Sequence, residues 1–88
     1  MRINIAKFGE ILSSRPAGRE ASLVAQAYLQ PTTESEIIEL DFEGVNVLTP
    51  SWADEFITGL KSKYGDRVVC LPSKNLSVIE SLKVLQEE

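Results

Sequence analysis

The residues best placed to do chemistry lie in one run, Leu40-Asp41-Phe42-Glu43-Gly44-Val45-Asn46-Val47-Leu48-Thr49-Pro50-Ser51-Trp52-Ala53-Asp54-Glu55-Phe56. Thr49 and Ser51 bracket Pro50 at the predicted start of a helix. Free N–H groups and the helix dipole there favour a phosphate or another anion. The same hydroxyls serve equally as helix caps, worth roughly 1 kcal/mol. Trp52 either anchors the first turn in the core or offers an aromatic hot spot to a partner, and Asp54 and Glu55 follow it on the helix. Asp41 and Glu43 share a face by spacing and can form a carboxylate pair, but nothing near them in sequence supplies a second catalytic role. Gly18-Arg19-Glu20 opens an earlier helix, so Gly18 and Arg19 form either a second anion site or a solvated first turn. Cys70, beside Val68 and Val69, reads as an inert buried thiol.

What is missing narrows the chemistry. The chain has one cysteine and no histidine. A disulfide within the chain is therefore impossible, which suits a reducing cytoplasm. The absence of histidine removes the usual triads, the Cys–His pair and most zinc sites. We therefore expect no enzyme, no metal and no cofactor. Nine basic residues are scattered among thirteen acidic ones, for a net charge of -4. Nucleic acid and anionic membranes need clustered Lys and Arg, so neither is an expected partner. Met1 to Ala6 alternates and is too short for the apolar core of a signal peptide, and no apolar run reaches membrane-spanning length.

The 88 residues make one domain, 1–88, with a core that must be compact. Ile3 and Ile5 alternate with Arg2 and Asn4, so residues 2–6 read as a strand. Lys7 to Ser14 reads as a helical turn or a short edge strand. A helix starts near Arg15-Pro16, capped by Ser13 or Ser14, with Ala17, Ala21, Val24 and Tyr28 at helical spacing. Pro31 ends it, and Thr32 to Ser35 form a turn. Glu36 to Phe42 is the clearest strand, with Ile38, Leu40 and Phe42 on one face and Ile37, Glu39 and Asp41 on the other. Gly44 breaks it, and Val45, Val47 and Leu48 form an apolar loop. The next helix carries the stripe Trp52, Ala53, Phe56, Ile57 and Leu60 and stops at Tyr64-Gly65-Asp66. Arg67 to Leu71 is a third strand closed by Pro72. A last helix runs from about Ser77 to Gln86, with Ser77 and Glu80 as a capping box, Ile79 and Leu82 facing inward, and Val78 and Leu85 as further candidates for that face.

The order β-α-β-α-β-α predicts an α/β fold, a single sheet of three parallel strands in the order 1-2-3. The acidic face of the second strand argues against a sheet covered on both sides, so the helices lie mainly on one face. An extra edge strand can come from Phe8–Leu12. The segment around position 50 then sits at the carboxyl edge of the sheet, where open parallel sheets place their sites.

Three motifs carry a resemblance over nearly the whole chain: Ile3-Asn4-Ile5-Ala6-Lys7, Pro16-Ala17-Gly18-Arg19, and Thr49-Pro50-Ser51-Trp52-Ala53-Asp54-Glu55-Phe56. The succession of strand, Gly-Val, apolar pair, polar cluster and helix resembles the STAS domain, named for sulfate transporters and anti-sigma factor antagonists. The chain as a whole is closer to the STAS-like proteins of unknown function. In the antagonists a partner kinase phosphorylates a serine that follows an aspartate at this helix start, which switches binding off. By position, Thr49 stands at the aspartate, Pro50 at the phosphoserine, and Ser51 matches the serine after it. The resemblance implies a regulatory module that binds a protein, such as a histidine-kinase-like ATPase, through Thr49, Ser51, Trp52, Asp54 and Glu55. Two other readings stand beside it. One is a domain binding a small ligand or nucleotide at the same sheet edge, without a Gly-rich phosphate loop. The other is a structural homo-oligomer, such as a homodimer, paired through an edge strand or the uncovered sheet face.

Overall fold

A computed structural model describes residues 1–29 and 33–86. In chain order the strands and helices are β1 (Arg2–Asn4), β2 (Ile11–Leu12), α1 (Arg15–Tyr28), β3 (Ile38–Asp41), β4 (Val47–Leu48), α2 (Pro50–Tyr64), β5 (Val68–Cys70) and α3 (Leu76–Gln86). Short 3-10 turns at Ile5–Phe8 and Gly65–Arg67 join β1 to β2 and α2 to β5.

β1, β3 and β5 form a parallel sheet with β3 in the centre. Ile3 pairs with Leu40 and Leu40 with Cys70, while Arg2 pairs with Glu39 and Glu39 with Val69. Each β-α-β step moves to the next strand in the same direction, so right-handed crossovers carry α1 and α2 to one face. That face buries Ile3, Ile38, Leu40 and Val68. Arg2, Asn4 and Val69 are exposed on the other, and Glu39 and Asp41 are half-buried there. Arg2 lies 3.9 Å from both carboxylates, surface pairs worth little.

The first strand is shorter than the alternation predicts. Ile5–Phe8 curls into a 3-10 turn, which buries Ile5 fully. It also carries the Phe8 ring to 5.4 Å from Phe56 and 6.3 Å from Trp52. The extra strand exists but does not extend the main sheet. Ile11–Leu12 pairs in parallel with Val47–Leu48, the segment expected as a loop, in a separate two-stranded sheet. Two residues per strand lie below the length at which alternation is legible. The expected helix stop at Pro31 lies outside the described residues.

α1 turns a different face inward than its Ala-Val-Tyr spacing suggests. Ala17, Val24 and Tyr28 are exposed, while Gly18, Ala21, Ser22 and Ala25 are buried. The reason is a close crossing with α2. A Cβ on Gly18 would stand 2.4 Å from the Trp52 carbonyl oxygen. One turn on, Ser22 Oγ donates to Phe56 O (3.2 Å), and Gln26 Nε2 donates to Gly59 O (3.3 Å). Small and polar side chains thus face α2, and the larger ones turn outward. Below the crossing, Trp52 stacks on Phe56 with centroids 4.8 Å apart and the rings 13° from parallel.

α3 begins one residue earlier than expected and is capped by Asn75, not by a Ser77–Glu80 box. Asn75 Oδ1 accepts from Val78 N–H (3.2 Å) and Ser77 Oγ (2.6 Å). Its inner face is Val78 and Ser81. Ile79, expected inside, is exposed. Ser81 is buried because its hydroxyl donates to Leu48 O at 2.6 Å, tying α3 to β4.

Candidate functional site at the start of the second long helix

Thr49 is the N-cap of α2 and its hydroxyl is used twice. It accepts from Trp52 N–H (3.3 Å) and donates to Leu12 O (3.2 Å). Thr49 N–H also donates to Leu12 O (3.0 Å). The small β2–β4 sheet thus holds the helix start in place, and Thr49 acts as a clamp. Pro50 takes the first helical position, where its missing N–H costs nothing, and Ser51 takes the second. Ser51 is half-buried, and among the described residues its hydroxyl has no hydrogen-bond partner.

One turn further, Asp54 accepts from Arg15 at the head of α1 (2.7 Å) and from Thr58 (3.2 Å). The same guanidinium lies 3.9 Å from Glu55. The Arg15 hydrogen bond holds the Asp54 carboxyl below the usual carboxylate range, against a smaller opposing effect of burial. Ser51, Asp54 and Glu55 therefore form a half-buried polar surface beside exposed Pro50, braced by one arginine from the neighbouring helix.

Three of the sequence-derived positions, Trp52, Gly18 and Arg19, lie outside this surface. Trp52 is only 2% exposed. Stacked on Phe56, it anchors the first turn of α2 in the core, the first of its two sequence readings. Of the two readings of Gly18 and Arg19, an anion site or a solvated first turn, the local geometry favours the second. Gly18 is buried against the backbone of α2, its N–H donates to Ser14 O (3.3 Å), and Ser14 Oγ takes the Ala17 N–H. Those donors are already used, and Arg19 is left on a solvated polar groove with Glu55 and Thr58.

Cys70 also differs from expectation: it is exposed at the outer strand of the sheet. Enough protein surrounds its sulfur for burial to push the thiol up, outweighing the opposing attraction of Lys61. Asp41 Oδ1 accepts the Glu43 N–H (3.0 Å), so this carboxylate closes the turn after β3.

A feature absent from the motif reading is a cleft of about 450 Å³ at the carboxyl ends of β3 and β5, between Asp41–Val45 and Pro72–Asn75. Asn75 organises one wall. Its Nδ2 donates to Val45 O (3.1 Å) and Asn46 O (3.0 Å) while its Oδ1 caps α3. The signal for the cap was present, an Asn three residues before Val78. The long-range bonds to the β3–β4 loop left no trace in the sequence.

The fold and this helix-start geometry define a small α/β domain with three helices and a parallel three-stranded sheet. Compared with protein families, residues 21–70 match the model of the STAS-like domain of unknown function, more than half of the chain. The chain belongs to that family. Neither a comparison with curated proteins nor one with solved structures returns a match. Among the described residues, no helix is long and apolar enough to cross a membrane.

Proposed function

We propose that this domain is a regulatory protein-binding module, resembling the anti-sigma factor antagonists, that engages a histidine-kinase-like ATPase with the start of α2. The contact surface is Pro50, Ser51, Asp54 and Glu55, with Thr49 holding it in shape from below. The observation that carries this reading is the contrast between two neighbouring hydroxyls. Thr49 is engaged as donor and acceptor, whereas the Ser51 hydroxyl has no partner among the described residues. In this reading the partner transfers the γ-phosphoryl of ATP to Ser51 Oγ, with loss of the hydroxyl proton and release of ADP. The new dianion is favoured by the helix N-terminus and by Arg15, and opposed by Asp54 and Glu55. The lack of histidine and of a second acid–base group supports a binding role over catalysis.

Binding of the purified chain to the histidine-kinase-like ATPases of its own genome, measured by biolayer interferometry, tests the proposal. Ser51→Glu is expected to weaken binding roughly tenfold or more, like charge against a fitted surface being costly. The exposed control Ser62→Glu is expected to leave it unchanged. Absence of binding to every such ATPase, or indifference to Ser51→Glu, refutes it.

The cleft between Asp41–Val45 and Pro72–Asn75 favours a second reading, a small-ligand or nucleotide site at the sheet's carboxyl edge. A thermal-shift screen with nucleotides separates the two, since tight binding raises apparent stability.

A further inference from the structure

The two walls of the cleft at the carboxyl ends of β3 and β5 are tied together at both ends and part in between. At the sheet end, Leu71 N–H donates to Leu40 O (2.9 Å). At the far end, Asn75 Nδ2 donates to Val45 O (3.1 Å). Between these ties the Phe42 carbonyl turns back on its own wall and accepts Val45 N–H (3.1 Å). The space left is about 450 Å³. The fold itself holds this cleft open, as small-ligand sites require.

The walls carry opposite charge. Asp41 and Glu43 stand on one, Ser73 and Lys74 on the other. Asp41 Oδ1 accepts the Glu43 N–H, and Oδ2 lies 3.9 Å from Arg2. Glu43 and Lys74 are exposed, and neither makes an ion pair among the described residues. The Ser73 and Lys74 N–H groups have no backbone partner among those residues. One wall therefore offers carboxylate oxygens, and the other offers N–H donors and a cation. Asn75 has nothing to spare, because Nδ2 holds two carbonyls and Oδ1 caps α3. It shapes the cleft. Buried Phe42 and Val45 add an apolar lining.

We propose that this cleft binds a free α-amino acid, its ammonium on Asp41 and Glu43 and its carboxylate on the Ser73 and Lys74 N–H groups and the Lys74 ammonium. Charge-assisted bonds of both signs fix one orientation, and the ligand side chain lies along Phe42, Val45 and Pro72. Two carboxylates against one ammonium leave the cleft net negative. That repels the phosphates of a nucleotide and suits a ligand carrying its own cation. A peptide terminus brings only one of the two charges. The inference rests on reading the cleft as a small-ligand site and is independent of the Ser51 surface.

Amide-resolved NMR of the full chain, titrated with each proteinogenic amino acid to about 20 mM at fixed pH and ionic strength, tests the proposal. For so small a ligand in an open cleft, the expected Kd is on the order of 1 mM. At least one amino acid is expected to shift the Gly44, Ser73 and Lys74 amides together. Its N-acetyl and its carboxamide derivatives, each lacking one charge, are expected to bind roughly tenfold more weakly. Glu43→Gln and Lys74→Gln are each expected to cost a similar factor. Both positions are exposed, and the spectrum itself shows that the variants fold. If no amino acid moves these amides, or the derivatives or variants bind as well as the originals, the proposal is overturned. ATP moving the same amides where every amino acid fails overturns it too, yet leaves the small-ligand reading standing. Silence from both removes the two together.

Discussion

Substituting Gly18 by Ala tests the helix crossing that sets the position of the α2 start. The added Cβ would meet three backbone atoms of Trp52, the nearest at 2.4 Å, where ordinary contact begins near 3.4 Å. Backbone cannot swing aside as a side chain can, so α1 and α2 must part by about 1 Å, loosening the Ser22 and Gln26 bonds. Overpacking of this kind costs about 1–3 kcal/mol. Alanine returns roughly 1 kcal/mol because it is a better helix former than glycine. The net expectation is a loss of about 1–2 kcal/mol. Urea unfolding reads it directly, since a domain of this size has a slope of about 1 kcal/mol per molar. The midpoint should fall by about 1–2 M. Trp52 is the chain's single tryptophan and is buried, so its fluorescence reports the transition from the contact itself. An unchanged midpoint, or one raised by the helix-propensity gain, would refute the close crossing.

Thr49→Ala should cost about 1–2 kcal/mol by urea titration, since it removes both a cap and the bond to Leu12 O; Thr49→Ser, which keeps the hydroxyl, should recover most of it. Asp54 has a carboxyl pKa lowered in the fold by Arg15. Its contribution is fully present above the unfolded carboxylate pKa and is lost as pH falls through the lower folded value. Because the side chain is about a third exposed, solvent screening holds that contribution to at most about 1 kcal/mol. Asp54→Asn should therefore flatten part of the acid limb of the stability–pH curve and leave its shape near neutrality unchanged; an identical acid limb in the two proteins counts against the ion pair.

Local pattern determined much of this protein. The alternation of Glu36–Phe42 and the 3.6-residue stripe of Trp52, Ala53, Phe56, Ile57 and Leu60 each answer to a single neighbour, the core, and periodicity records that burial. The order of the elements likewise implied a parallel sheet with helices on one face. The helix-start hydroxyls at Thr49 and Ser51 were visible as types at a spacing. Their difference was not, because it depends on Leu12, thirty-seven residues away.

Only the tertiary structure decided the rest, and in each case for one reason: a residue was claimed by a distant partner. Gly18 looked like part of an anion-binding helix start, but the backbone at Trp52 occupies the space its side chain would fill. Tyr28 and Ile79 kept helical spacing yet turned outward, because Ser22 and Ser81 took the inner positions through hydrogen bonds to carbonyls of other elements. Strands as short as Ile11–Leu12 and Val47–Leu48 hold no period of their own and exist through their pairing. Cys70 read as buried because its neighbours are apolar; it is exposed because it ends a strand at the outer edge of the sheet.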